Sequence, residues 1–296
     1  MLSDYKNKYD SLEKKRNLSG QDAILAVRED INNVFYVKEI TEDIAIEVLK
    51  KDGLYLQYFR GIQNKHLCIV AVQQNYEAIQ FVEKQDDEIC IFALRQNWRA
   101  IKLIREQNKK ICAEAIRQSP ESYQDLISPT KENQLEAVRS DPSSIKYIYA
   151  PTKECCLLSV RSNGLNLQYI NGRYQTKEIC SEAIKNNPEA LKFAKKQTEE
   201  MILEAVRRDG NMLKHAHFFN DKIIWEAIKN NPESFKYSFS KNKKICIEAI
   251  NMLPENFMYV QQTEELANLA VGLDNNLLQF VNEDFFNKKN FFWGKK

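Results

Sequence analysis

Apolar residues recur along this chain with two nested periods. Within short segments they fall three and four residues apart, the spacing of a stripe down one side of a helix. Over longer distances the whole stripe returns about every twenty-two residues. With the small residue of each segment taken as position 0, twelve copies align, on Ala26, Val48, Ala71, Ala93, Ala115, Ala137, Ser159, Ala183, Ala205, Ala227, Ala249 and Ala270, spaced 21 to 24 residues apart. Positions −4, −3, 0 and +1 are the apolar ones, and +1 is aliphatic in every copy. Position −7 is always Ser, Thr, Asn or Asp, whose side chains accept hydrogen bonds from the free N–H groups at a helix start. Carboxylates such as Glu88, Glu178 and Glu200 often follow two places later, where they favour the positive end of the helix dipole.

A second element follows in each copy. Position +4 is Asp, Asn or Ser in eleven copies, and +5 is Pro or Gly in eight, among them Pro120, Pro188, Gly53 and Gly164. A capping residue before Pro starts a new helix, and the Gly versions suit a tight turn between helices. Position +8 is always apolar and +10 is aromatic in nine copies, which lies at the edge of the apolar arc and is read as core packing. Each unit is therefore predicted to be two helices of about ten and eight residues, roughly 15 and 12 Å long. Helices this short are unstable alone and must bury their faces on neighbouring units. The predicted fold is all-α, an α-solenoid of about twelve 22-residue helix-turn-helix repeats over residues 19–281. Residues 1–18, with Leu2, Tyr5, Tyr9 and Leu12 at helical spacing, are predicted to form an N-terminal capping helix, and 282–296 an aromatic and basic C-terminal tail.

The repeated signature, in the form TKEICSEAIKNNPEALKF at 176–193, resembles an uncharacterised "domain of unknown function" helical repeat that is abundant in giant DNA viruses of amoebae. The resemblance spans roughly residues 19–281. It implies a helical-repeat protein of a large virus or a related organism, and it brings no activity and no catalytic residues with it.

Charge and composition narrow the function classes. Lys and Arg number 43 against 41 Asp and Glu, a formal net charge of +2, which supplies no global field for nucleic acid or an acidic membrane. No apolar run is long enough to span a bilayer, so no integral membrane insertion is expected, and the first eighteen residues lack the apolar core of a secretory signal. An intracellular location follows, in the cytoplasm of the cell or host cell, with the virion as a second setting. Six of the seven cysteines occupy position −3, where other copies have Ala45, Ile202 and Ile224. A place shared by Cys, Ala and Ile is a packing position, so neither metal nor cofactor is expected. Carboxylates recur at a fixed phase, seven of them at −1 from Glu47 to Glu248, and do not converge on an acid–base pair, so no catalytic residue is assigned and the chain is not read as an enzyme.

Three sets of residues remain as candidates for binding. Position +2 is a cation in nine copies, and Arg95, Arg117, Arg139, Arg161, Lys185, Arg207 and Lys229 form a candidate anion-binding ladder. Helix-dipole complementarity and a Glu three residues earlier give the ladder a structural explanation as well. Tyr76 and Trp98 replace Pro or Gly at +5 in adjacent repeats and, with Arg95 and Arg99, form a candidate partner-binding patch, because Trp, Tyr and Arg dominate interface hot spots. Phe291, Phe292 and Trp293 in the tail are the third set. The reading that follows is a non-enzymatic scaffold for protein partners in a large-virus assembly or host-interaction context. The alternative is an RNA-binding or nucleoprotein-associated solenoid using the basic ladder.

Overall fold

The computed structural model describes residues 18–282. The expected capping helix and tail therefore lie outside the described residues, apart from Leu18 and Asn282. The described residues form an all-α repeat protein: twelve α-helices, each followed by a six-residue 3₁₀-helix, with one additional short 3₁₀ turn at Gly172–Tyr174. Each α-helix is ten residues long, as in Lys177–Asn186. The chain divides after Ile148 into two compact units of six repeats. Within each unit, successive α-helices pack side by side, as do successive 3₁₀-helices.

Local chemistry explains why the α-helices begin and end where they do. The −7 side chain accepts from an N–H of the first turn in ten repeats, for example Thr176 from Ile179, Asn220 from Ile223 and Thr130 from Asn133. Ser19 and Thr41 make no such bond. At the other end a single extended residue at +4 does two jobs. Asn187 (φ −141°, ψ 116°) donates its N–H to the Ala183 carbonyl, closing the α-helix, while its side chain accepts from Glu189 and opens the 3₁₀-helix Pro188–Phe193. The side-chain bond recurs in ten of the twelve repeats, failing only at Ser119 and Leu253.

The second helix departs from the sequence expectation. It is a 3₁₀-helix of six residues, not an α-helix of eight, and spans about 12 Å because its rise is roughly 2.0 Å per residue. The reason is an apolar interval of three. Positions +8 and +11 eclipse one another at three residues per turn, and pairs such as Leu56 and Phe59, Ile79 and Val82, Ile101 and Ile104 are buried together.

The core of each unit is a continuous strip rather than a centre. Position 0 is buried in eleven repeats, and with −4, −3, +1, +8 and +11 it forms a mostly apolar seam, interrupted by polar residues such as Asn133, Ser159 and Ser238. All seven cysteines are free and buried. Burial pushes the thiol of Cys156 up to about 12 and those of Cys68, Cys90 and Cys180 up to about 11, so they pack as small apolar groups.

The glycines at +5 serve a purpose other than the turn. None has a positive φ; instead the next α-helix comes so close that a Cβ would sit 2.2 Å from the Ala71 carbonyl oxygen at Gly53, 2.2 Å from that of Ala183 at Gly164, and 2.4 Å from that of Ala227 at Gly210. Each glycine N–H donates at 2.7 Å to an amide at +3 of the next repeat: Gly53 to Gln74, Gly164 to Asn186, Gly210 to Asn230. The same amides donate back to the preceding repeat, to the carbonyls of Lys51, Arg161 and Arg207. Proline has no N–H to give, and after Pro120, Pro142, Pro188, Pro232 and Pro254 the next +3 residue is Ser140, Ser162, Arg208, Met252 or Leu273. The two positions vary together because the hydrogen bond needs both partners.

Gly164→Ala is expected to destabilise the protein by about 1–3 kcal/mol through overpacking. Gly272→Ala, inside a helix with open space around it, is expected to stabilise by about 0.5–1 kcal/mol. Urea denaturation of the two variants checks this, and shifts of the same sign would contradict the close approach.

Candidate functional site: a clamped loop row

The basic ladder is built as a chain of ion pairs. The +2 cation of one repeat reaches the −1 carboxylate of the next: Arg28 to Glu47 at 2.7 Å, Arg95 to Glu114 at 3.0 Å, Arg161 to Glu182 at 2.8 Å, Arg207 to Glu226 at 2.9 Å. Arg117 and Lys185 turn back to Glu114 and Glu182 in their own repeats. Lys229 lies 5.9 Å from the Trp225 ring centre. Arg139 and Lys229 have no carboxylate within ion-pair distance among the described residues. Most of these cations are more than half exposed, so each pair contributes little stability, about 0–1 kcal/mol. Their main effect is to cancel the field an anionic ligand would need.

Glu114 is the exception in burial. Its side chain is only 10% exposed, and it accepts from Arg95 Nε at 3.0 Å, Arg117 Nη2 at 2.6 Å and Gln118 Nε2 at 3.0 Å. Desolvation pushes its pKa up, but the bonds from Arg117, Arg95 and Gln118 outweigh it and hold the carboxyl at about 2.

The aromatic patch is assembled in part. The Arg99 guanidinium lies 4.6 Å from the Trp98 ring centre. The Tyr76 hydroxyl donates to Glu77 at 3.2 Å; burial and that bond raise its pKa, and the Arg99 charge partly offsets them. Both rings are half-buried and Arg99 is exposed. Arg95 is engaged by Glu114. Phe291, Phe292 and Trp293 lie outside the described residues.

A different row emerges from the loops that join each 3₁₀-helix to the next α-helix. Position −8 is glutamine in six repeats, and its side-chain amide fastens consecutive loops together. Gln197 donates to the carbonyls of Leu191 and His215 at 3.0 and 2.9 Å and accepts from the His217 N–H at 2.9 Å. Gln85 bonds in the same way to Ile79, Leu103 and Arg105, and Gln63 to Leu56, Phe81 and Glu83. The clamped N–H belongs to position +12, whose side chain is exposed in all twelve repeats. Its identity changes from copy to copy, through Arg60, Glu83, Ile127, Tyr149, Lys195 and Phe239. The +10 aromatics beside it lie at the edge of the core, yet none is buried. At one end Phe35, Tyr55 and Tyr58 form an aromatic cluster with ring centres 5.1 to 6.0 Å apart. Sequence reasoning passed over this row. Its signals were the glutamine six times at −8 and the scatter of residue types at one fixed phase.

Among the described residues no group of three or more His, Cys, Asp or Glu is placed to hold a metal ion, and no helix is long and apolar enough to cross a membrane. Residues 152–198 and 198–241 each match a family model described as Domain of unknown function (DUF4116). No curated protein and no solved structure matches the chain. The matched stretches lie in the second unit and correspond to two consecutive pairs of repeats, so the family unit is a repeat pair of the kind described above.

Two predictions follow from the clamps and the buried carboxylate. Gln197→Ala removes three hydrogen bonds and is expected to cost about 1–3 kcal/mol, read from the urea midpoint. Glu114→Gln is expected to cost about 1–3 kcal/mol at neutral pH. Because the folded carboxyl titrates below its unfolded value, this stabilisation is complete above the ordinary carboxylate pKa and is lost as pH falls toward about 2. Wild type and variant should therefore converge in strongly acid solution; a difference independent of pH would overturn the assignment.

Proposed function

We propose that this chain is a non-enzymatic scaffold whose repeats present the +12 row to protein partners. One observation carries the reading. The framework positions 0, +1 and +4 hold nearly constant residue types, whereas +12 is exposed in every repeat and varies freely in chemistry. A fixed backbone displaying a variable side chain at regular intervals is how solenoids recognise extended partners. Tyr76, Trp98 and Arg99 add an anchor of the type that dominates interface hot spots. The ladder cations, matched by carboxylates along most of their length, favour protein over RNA as the ligand. The resemblance of the repeated signature supports, as part of the same proposal, a large-virus assembly or host-interaction context inside the cell.

Affinity purification from infected or native cells, with and without nuclease, tests this reading against a variant carrying Arg60→Ser, Ile127→Ser, Tyr149→Ser and Phe239→Ser. All four side chains are exposed, so thermal stability should change little. The expected result is a set of proteins that survives nuclease and is lost with the variant. Partners retained by the variant, or released by nuclease alone, would overturn the proposal.

A further inference from the structure

We infer that the loop edge of the second unit docks an acidic, apolar-containing peptide segment of the protein partner. This rests on the scaffold reading and names the chemistry of what the scaffold holds. The loops of the two units differ in charge. In the first unit they carry Glu39, Glu83, Asp86 and Glu106 against four cations. In the second, the segments 149–152, 170–176, 194–198, 216–220, 238–242 and 260–263 contain no Asp or Glu at all, while Arg173, Lys195, Lys196 and Lys241 stand among them. All four cations are exposed, and none has a carboxylate within ion-pair distance among the described residues. The cations of the ladder are mostly paired; these are not.

Exposed rings accompany them. The guanidinium of Arg173, in the insertion that widens one repeat spacing to 24 residues, lies 5.2 Å from the Tyr149 ring centre and 5.0 Å from that of Tyr174. Tyr149 is 83% exposed and Phe239 82%. They are the +12 residues of repeats in which Pro129 and Phe219 replace the clamping glutamine. Phe239 also has φ 47°, a left-handed conformation that a bulky side chain adopts only under strain. Ser238 holds the turn, donating its hydroxyl to the Phe235 carbonyl at 2.8 Å. A strained backbone that presents a ring to water, with no burial in return, points to a partner that covers it.

The spacing of charge decides between an acidic peptide and a single-stranded nucleic acid. Five of the six loops lead directly into a first helical turn bearing a carboxylate, among them Glu178, Glu199, Asp221 and Glu264, whereas 238–242 leads into Lys243 and Lys244. A strand with a phosphate at every link would meet these as well as the cations. A peptide can set its carboxylates opposite Arg173 and the lysines and lay apolar side chains on the rings.

The experiment is panning of a phage-displayed random peptide library on the full chain, followed by affinity measurements with the enriched peptides as synthetic probes. The expected peptides combine Asp or Glu with Leu, Phe or Trp. Their affinity should fall on the order of tenfold or more in Arg173→Gln/Lys195→Gln/Lys196→Gln/Lys241→Gln, and again in Tyr149→Ala/Phe239→Ala, with unchanged helical circular dichroism. Enriched peptides that bind these variants as tightly as wild type would overturn this inference and leave the scaffold reading standing. No enrichment at all would count against both. An oligouridylate that binds more tightly than the enriched peptides, and is lost in the quadruple variant, would assign the surface to nucleic acid instead.

Discussion

Stacking of one repeat on the next through the small residue at position 0 is the contact on which the rest of this protein depends. Neither a ten-residue α-helix nor a six-residue 3₁₀-helix is stable in water, so each unit exists only by covering its neighbour. Where +5 is glycine the approach is so close that even a methyl group would overlap a carbonyl oxygen, as at Gly164 against Ala183. That proximity lets side chains of one repeat saturate backbone groups of the one before. Gln74, Asn186 and Asn230 do this at one edge of the stack, and the −8 glutamines do it at the other. Both are consequences of the same short inter-repeat distance.

Much of this was legible before any coordinates. The cap at −7, the hinge at +4 and the apolar seam at −4, −3, 0 and +1 are local or periodic features, and their signals lie within one unit of the sequence. What escaped reading was of two kinds. The 3₁₀ geometry depends on an interval of three between +8 and +11, which a helix-period search blurs into 3.6. The pairing of a glycine N–H with an amide in the next repeat, and the fastening of two loops by one glutamine, join residues about twenty positions apart. Only when the copies are compared with one another, as in the replacement of Asn186 and Gln74 by Ser140 or Leu273 after proline, does the sequence carry the trace.

The binding candidates divide along the same line. The +2 cations, open in the sequence both to an anion and to a structural role beside the Glu three residues earlier, also meet the −1 carboxylates of the following repeat, which the stack brings to 2.7 to 3.0 Å from Arg28, Arg95, Arg161 and Arg207. Composition had already hinted at this: 43 cations against 41 anions leaves little charge over once neighbours are paired. Arg99 lies over the Trp98 ring and its charge reaches Tyr76, because all three stand in the first turns of adjacent 3₁₀-helices, at +5 and +6.

The loops of the second unit, which hold cations and no carboxylates, escape this neutralisation. On the α-helices, residues of neighbouring repeats lie side by side over ten positions, and cations such as Lys153, Lys177, Arg207 and Lys222 find a carboxylate across the gap. In six repeats the loop backbone groups are satisfied by a glutamine amide, and +12 side chains such as Lys195 and His217 make no ion pair among the described residues, whereas Glu83 and Arg105 bond backbone groups of the loop before them. Position +12 changes from Lys195 to His217 to Phe239 along the same stack. The clamp therefore does more than stabilise the loops: in the six repeats that carry it, it separates the task of holding the repeats together from the task of facing the solvent.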